Sequence, residues 1–159
     1  MALTFQTPTQ EITYHKVSDY LSNSALFKDL LHVSLRDPQF DITYGSAQVA
    51  VEVLPWDVHP WEERELAIVK ACSCVTVGSD PTPEMMHYLL TENHRMRFGA
   101  FHLSNDSDIR FAHTVLGGES MDLMELQTCI LSVVTIADTY DDIIRDQFGG
   151  QRAVDRIGS

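Results

Sequence analysis

Residues Asp138-Thr-Tyr-Asp-Asp142, followed by Asp146, are the first place in this chain to look for chemistry. On a helix the carboxylates of Asp138, Asp142 and Asp146 stand at i, i+4 and i+8, all on one side. Such a row can hold magnesium against a diphosphate, but that chemistry needs a second acidic helix opposite and a basic residue for the substrate. Neither is visible, so the row is expected to be a solvated acidic face. No two of the seven histidines have the i, i+4 spacing of a helical zinc motif. His102 and His113 fall on strands expected to pair, where cross-strand neighbours would make a weak metal or pH-sensing arrangement without a third ligand. Cys72, Cys74 and Cys129 have no helix N-terminus or basic cluster nearby to lower a thiol pKa, and they read as small buried hydrophobes. No Gly-x-Ser-x-Gly, phosphate-loop or dinucleotide glycine pattern occurs. No catalytic, cofactor-binding or metal residue is therefore assigned.

The elements that must position these side chains follow from periodicity. Residues 1–16 show little apolar period and are expected to form a loose N-terminal arm. From Ser18, a candidate cap, Leu21, Ala25, Leu26, Phe27, Leu30, Leu31 and Leu35 recur at helical spacing up to Asp37-Pro38. Phe40 to Tyr44 and Gln48 to Leu54 alternate around Gly45-Ser46 and predict a hairpin. Pro55-Trp-Asp-Val-His-Pro-Trp61 is expected to be a loop, because proline removes a ladder donor. Glu65 to Val77 predicts a long strand. Thr82 can cap a helix whose first turn holds Pro83 and whose apolar residues are Met85, Met86, Leu89, Leu90 and Met96. Arg97 to Leu103 and Ile109 to Leu116 predict a second hairpin around Ser104 to Asp108. Asp122, with Glu125 three residues on, starts the last helix. Its apolar positions Leu123, Leu126, Ile130, Val133, Ala137, Tyr140 and Ile144 run to Gly149-Gly150. The order is α-β-β-β-α-β-β-α, an α+β fold with a twisted antiparallel sheet, as one domain over residues 17–150 with a frayed tail at 151–159.

Length and charge narrow the function. A chain of 159 residues can bury a sizeable core as one domain. With 11 basic against 23 acidic residues, the net charge of −12 repels a phosphate backbone and excludes general nucleic-acid binding. No apolar stretch approaches the length of a membrane span, and the N-terminus has no basic region leading into a hydrophobic one. Three cysteines, with Cys72 and Cys74 badly placed for a disulfide, fit a reducing compartment, so a cytoplasmic location is expected. The last helix carries a second apolar set, Met124, Leu131 and Val134, and the Trp56 to Trp61 loop adds large aromatic surface. Met124, Leu131, Val134, Trp56 and Trp61 are accordingly the candidate protein-binding or dimer surface.

The segment Met96-Arg-Phe-Gly-Ala-Phe-His-Leu-Ser-Asn-Asp-Ser-Asp-Ile-Arg-Phe-Ala-His-Thr114, the helix holding Thr135-Ile-Ala-Asp-Thr-Tyr-Asp-Asp142, and this element order resemble the YbjN-like family, particularly its cyanobacterial members. That family is similar in fold to type III secretion chaperones. The resemblance spans about residues 17 to 148, rests on a diffuse pattern, and brings no active-site set. It implies a non-enzymatic, often homodimeric chaperone or adaptor that holds segments of client proteins, with no cofactor. The alternatives are a regulatory domain that signals through its oligomeric state, triggered by the histidines or cysteines, and, further off, an acidic-helix metal enzyme.

Overall fold

The computed structural model describes residues 2–56, 65–104 and 107–156. The elements are α1 (Pro8–Asn23), β1 (Leu31–Val33), β2 (Gln39–Tyr44), β3 (Ala47–Trp56), β4 (Leu66–Val77), α2 (Pro83–Arg95), β5 (Ala100–Leu103), β6 (Ile109–Leu116), α3 (Leu123–Phe148), β7 (Gln151–Arg152) and α4 (Ala153–Arg156). The expected α-β-β-β-α-β-β-α order is present, with β1 inserted after the first helix and β7 and α4 appended after the last. The strands form one antiparallel sheet in the order β1-β2-β3-β4-β6-β5, and β7 pairs the end of β4.

Alternation decides the layers. Val49, Val51 and Val53 of β3 and Val69, Ala71 and Val75 of β4 are buried. With Phe40, Ile42, Ile109 and Phe111 they face Leu21 of α1, Met85 of α2, and Leu126, Ile130 and Val133 of α3 in one core. The intervening residues point to the opposite face and are half-buried or exposed. Three caps fix the helix starts: Thr7 accepts from Gln10 N (3.1 Å), Thr82 from Met85 N (3.2 Å), and Asp122 from Met124 N (2.7 Å) and Glu125 N (3.1 Å). Gly149, with φ +78°, ends α3.

Four expectations are corrected. The first helix starts at Pro8, inside the supposed arm, because its buried face opens with polar residues that carry no hydrophobic period: Gln10, Thr13 and Tyr14. The Gln10 carboxamide donates to Val53 O (2.9 Å), and the Thr13 hydroxyl accepts from Gly118 N (2.8 Å). The helix then stops at Asn23, whose side chain donates to Asp19 O (2.8 Å). Ser24 closes a turn through bonds to Phe27 N, Lys28 N and Leu26 N, so the leucines beyond it feed a loop and β1. Pro55 lies within β3, paired with Ala67. Val53 N–H points toward Pro38 O (2.9 Å), so the missing donor at Pro55 faces the same side, where β2 has already ended opposite Glu52. Finally, 151–156 is no frayed tail but β7 and α4, while Trp61 and the rest of 57–64 lie outside the described residues.

Candidate functional site

The open face of the sheet has a simple relief. In register across five strands lie Asp41, Ala50, Cys72, Ala112 and Ala100, a row whose last four side chains are all small. Glu52, Lys70 and Thr114 flank the row on one side, and beyond them Leu54, Ile68 and Leu116 make an apolar row. Cys74, Arg110 and His102 flank it on the other. The result is a trough across the strands, wide enough at one end for a cavity of about 710 Å³ that Ala50, Cys72, Cys74, Arg110 and, from α4, Ala153 and Val154 help to line. Lys70 and Arg110 balance Asp41 and Glu52 on these strands. Both signs of charge therefore border the trough, and Asp108 adds a further carboxylate to the cavity lining.

The sequence candidates sort differently. Met124 is 67% exposed and shares a groove of about 540 Å³ with Phe98 and Leu116. Leu131 is half-buried between a groove holding Met96, Phe98 and Ile136 and a smaller one holding Leu26, Leu30 and Tyr44. Val134 is corrected: at 3% exposure it belongs to the core, because α3 turns a wide arc toward the sheet. Trp56, the last residue of β3, is half-buried.

The acidic row is a solvated face at Asp142 and Asp146, as expected, but not at Asp138. Asp138 accepts hydrogen bonds from Ser46 N and Ser46 Oγ, both 2.8 Å, and so fastens the β2–β3 turn to α3. Asp141, which the periodic reading passed over, is 2% exposed and lies against the same hydroxyl, whose single proton it shares with Asp138. Asp142 pairs with Arg145 (3.1 Å) and Arg152 (3.7 Å), and Asp146 with Arg145 (3.1 Å). These carboxylates are engaged by protein partners, and among the described residues no three His, Cys, Asp or Glu side chains converge as metal ligands. His102 stands opposite Arg110 and His113 opposite Ala71, on opposite faces of the sheet, so the two histidines do not meet. Burial holds the pKa of both below the ordinary value, and Lys70 and Arg110 push His102 further down. All three cysteines are thiols, outside any disulfide. Burial raises the Cys129 thiol to about 11, and its S–H points at His113 O (3.5 Å).

The two sheet edges also differ. Asn93 of α2 accepts from Phe101 N (2.7 Å) and donates to Phe101 O (3.1 Å), so its carboxamide occupies the place of a neighbouring strand along β5. Sequence reading missed the trough and Asp141, which depend on register or on a partner far away along the chain, and the plug, whose side-chain-to-backbone bonds leave no periodic signal.

The described residues thus form an antiparallel sheet with α1, α2 and α3 packed on one face and a trough of small residues across the other. The chain belongs to the family described as T3SS (YopN, CesT) and YbjN peptide-binding chaperone 1 (TY-Chap1), whose model matches residues 24–156. No curated protein matches the chain closely enough to be counted as a relative. No described helix is long and apolar enough to cross a membrane.

Proposed function

We propose that this chain is a non-enzymatic, cytoplasmic peptide-binding chaperone or adaptor that acts as a homodimer and holds an extended client segment in the trough of the open sheet face. The observation that carries the reading is the row Ala50, Cys72, Ala112 and Ala100. Four small side chains in register leave room for a backbone to cross the strands, while Leu54, Ile68 and Leu116 offer apolar contact beside it. The side of α3 that carries exposed Met124 and half-buried Leu131, with Phe98 against it, is the surface for the second copy. The regulatory alternative loses its histidine trigger, since His102 and His113 lie on opposite faces.

The test is binding to an array of overlapping synthetic peptides from unfolded segments of soluble proteins. The wild-type chain should retain peptides at moderate salt, Ala112→Glu should lose them, and His87→Glu, on the exposed side of α2, should not. Equal binding by Ala112→Glu would sink the trough as the client site. In parallel, light scattering should give twice 18.0 kDa for the wild type and a folded monomer for Met124→Asp. A wild-type monomer would refute the dimer.

A further inference from the structure

After Phe148, the last residue of α3, the backbone leaves the helical side, passes around the end of the sheet, and comes down on the open face. Gly149 and Gly150, with φ +78° and +80°, make that reversal. At Gly150 a Cβ would stand 2.5 Å from Val77 O and 2.9 Å from Ser79 N, so only glycine lets the chain lie so close to the end of β4. Ser79 Oγ donates to Gly149 O (3.1 Å), β7 pairs Gln151 with Val77 and Arg152 with Thr76, and α4 then sets Ala153 and Val154 beside Cys72 and Cys74 in the large cavity. The hold is light. It consists of the Ser79–Gly149 bond, a two-residue ladder and the ion pair of Arg152 with Asp142, whose carboxylate is about half exposed and contributes little, while the pair of Arg152 with Asp155 lies within the segment itself.

We propose that residues 149–156 are a built-in strap that covers one end of the trough and must lift for a client to occupy it. This rests on the reading that the trough is the client site and adds a regulator to it. A segment held by two strand pairs, one hydroxyl bond and one exposed ion pair opens locally far more often than the core unfolds. The chain therefore exists as a closed form and a client-competent form, and the apparent affinity for a client is reduced by the fraction that is open.

The experiment is alkylation of the full 159-residue chain by iodoacetamide, followed residue by residue by mass spectrometry. Cys72 and Cys74 report on the covered end of the trough, and Cys129, fully buried, reports on the fold. Gly150→Val puts a branched side chain against Val77 O and forces the strap away. Cys72 and Cys74 should then react faster by about fivefold or more, with Cys129 still silent. Unchanged rates at Cys72 and Cys74 with Cys129 silent would overturn the strap. If Cys129 becomes reactive in Gly150→Val, the substitution has cost the fold, and Val154→Asp, at a more exposed position, decides by the same criterion. The readout uses no client, so its failure leaves the trough reading standing, whereas failure of Ala112→Glu to lose peptides removes the trough without touching the strap. Where both hold, a peptide selected on the array should bind Gly150→Val more tightly by the same factor as the gain in alkylation rate.

Discussion

Replacing Asn93 by alanine removes both bonds that close the β5 edge, the acceptor of Phe101 N–H at 2.7 Å and the donor to Phe101 C=O at 3.1 Å. Each is a bond to a largely buried backbone group and contributes about 1 kcal/mol net, so the gross loss is about 2 kcal/mol. Alanine is the better helix former, which returns about 0.5 kcal/mol near the end of α2. The net cost is about 1.5 kcal/mol. For a chain of this length that lowers Tm by about 3–6 °C. Urea denaturation should show a lower midpoint at unchanged slope, since no more surface is exposed on unfolding. Asn93→Asp keeps the acceptor but cannot donate to Phe101 C=O, and should lose about half as much. The variants should also self-associate with rising concentration, because the N–H and C=O of Phe101 become available to another chain. A loss below about 0.5 kcal/mol in Asn93→Ala, with no change in mass, would refute the plug and mean that water replaces the carboxamide at no cost.

Two further predictions concern the Ser46 clasp and the buried thiol. Gly45, at φ +57°, would place a Cβ 2.5 Å from Asp138 Oδ1, whereas Gly78, at φ +69°, has nothing within 4 Å. Both alanine variants carry the left-handed strain of about 1–2 kcal/mol, but Gly45→Ala should cost more by about 1 kcal/mol, and that excess should vanish in an Asp138→Ala background. The Cys129 thiol, ordinarily 9.0, sits at about 11 in the folded chain, so the folded form keeps a proton that the unfolded form releases. Its contribution is complete below pH 9 and lost as pH rises from about 9 to about 11, about 2–3 kcal/mol in all. The stability gap between wild type and Cys129→Ala should narrow over that window, and parallel pH profiles would contradict the assignment.

Where local pattern and tertiary partner agree, the sequence was legible. Alternation around Gly45-Ser46, the β-branched run of β4, Thr82 with Pro83, and Asp122 with Gly149 all lie where the structure has them. α1 was misplaced because Gln10 and Thr13 are buried through hydrogen bonds, which hydrophobic period does not detect. The row of Asp138, Asp142 and Asp146 was correctly put along one side of a helix, but its partners lie in the β2–β3 turn and in β7. Val134 looked like surplus apolar surface because spacing alone does not say how wide an arc of α3 the sheet covers. The trough depends on which residue of β3 faces which residue of β4 and β6, and alternation leaves that pairing undetermined.

The way α1 is seated bears on how freely its surroundings can drift. Gln10 donates to the carbonyl of Val53, Thr13 accepts from the amide of Gly118, and Lys16 Nζ donates to the carbonyls of Glu119 (2.7 Å) and Met121 (2.6 Å). Every one of these partners is main chain, so substitutions at 53, 119 or 121 that keep the backbone course leave the helix its anchor points. Positions 117 and 118 are the exceptions, because a Cβ at 117 would meet Thr13 Cγ2 at 2.6 Å and Gly118 sits at φ +98°. Tyr14, Val17 and Leu21 add a packed apolar face, so main-chain bonds and the core hold the helix together. α1 ends at Asn23, just before the family match begins at residue 24, yet its buried face belongs to the same core as the matched residues.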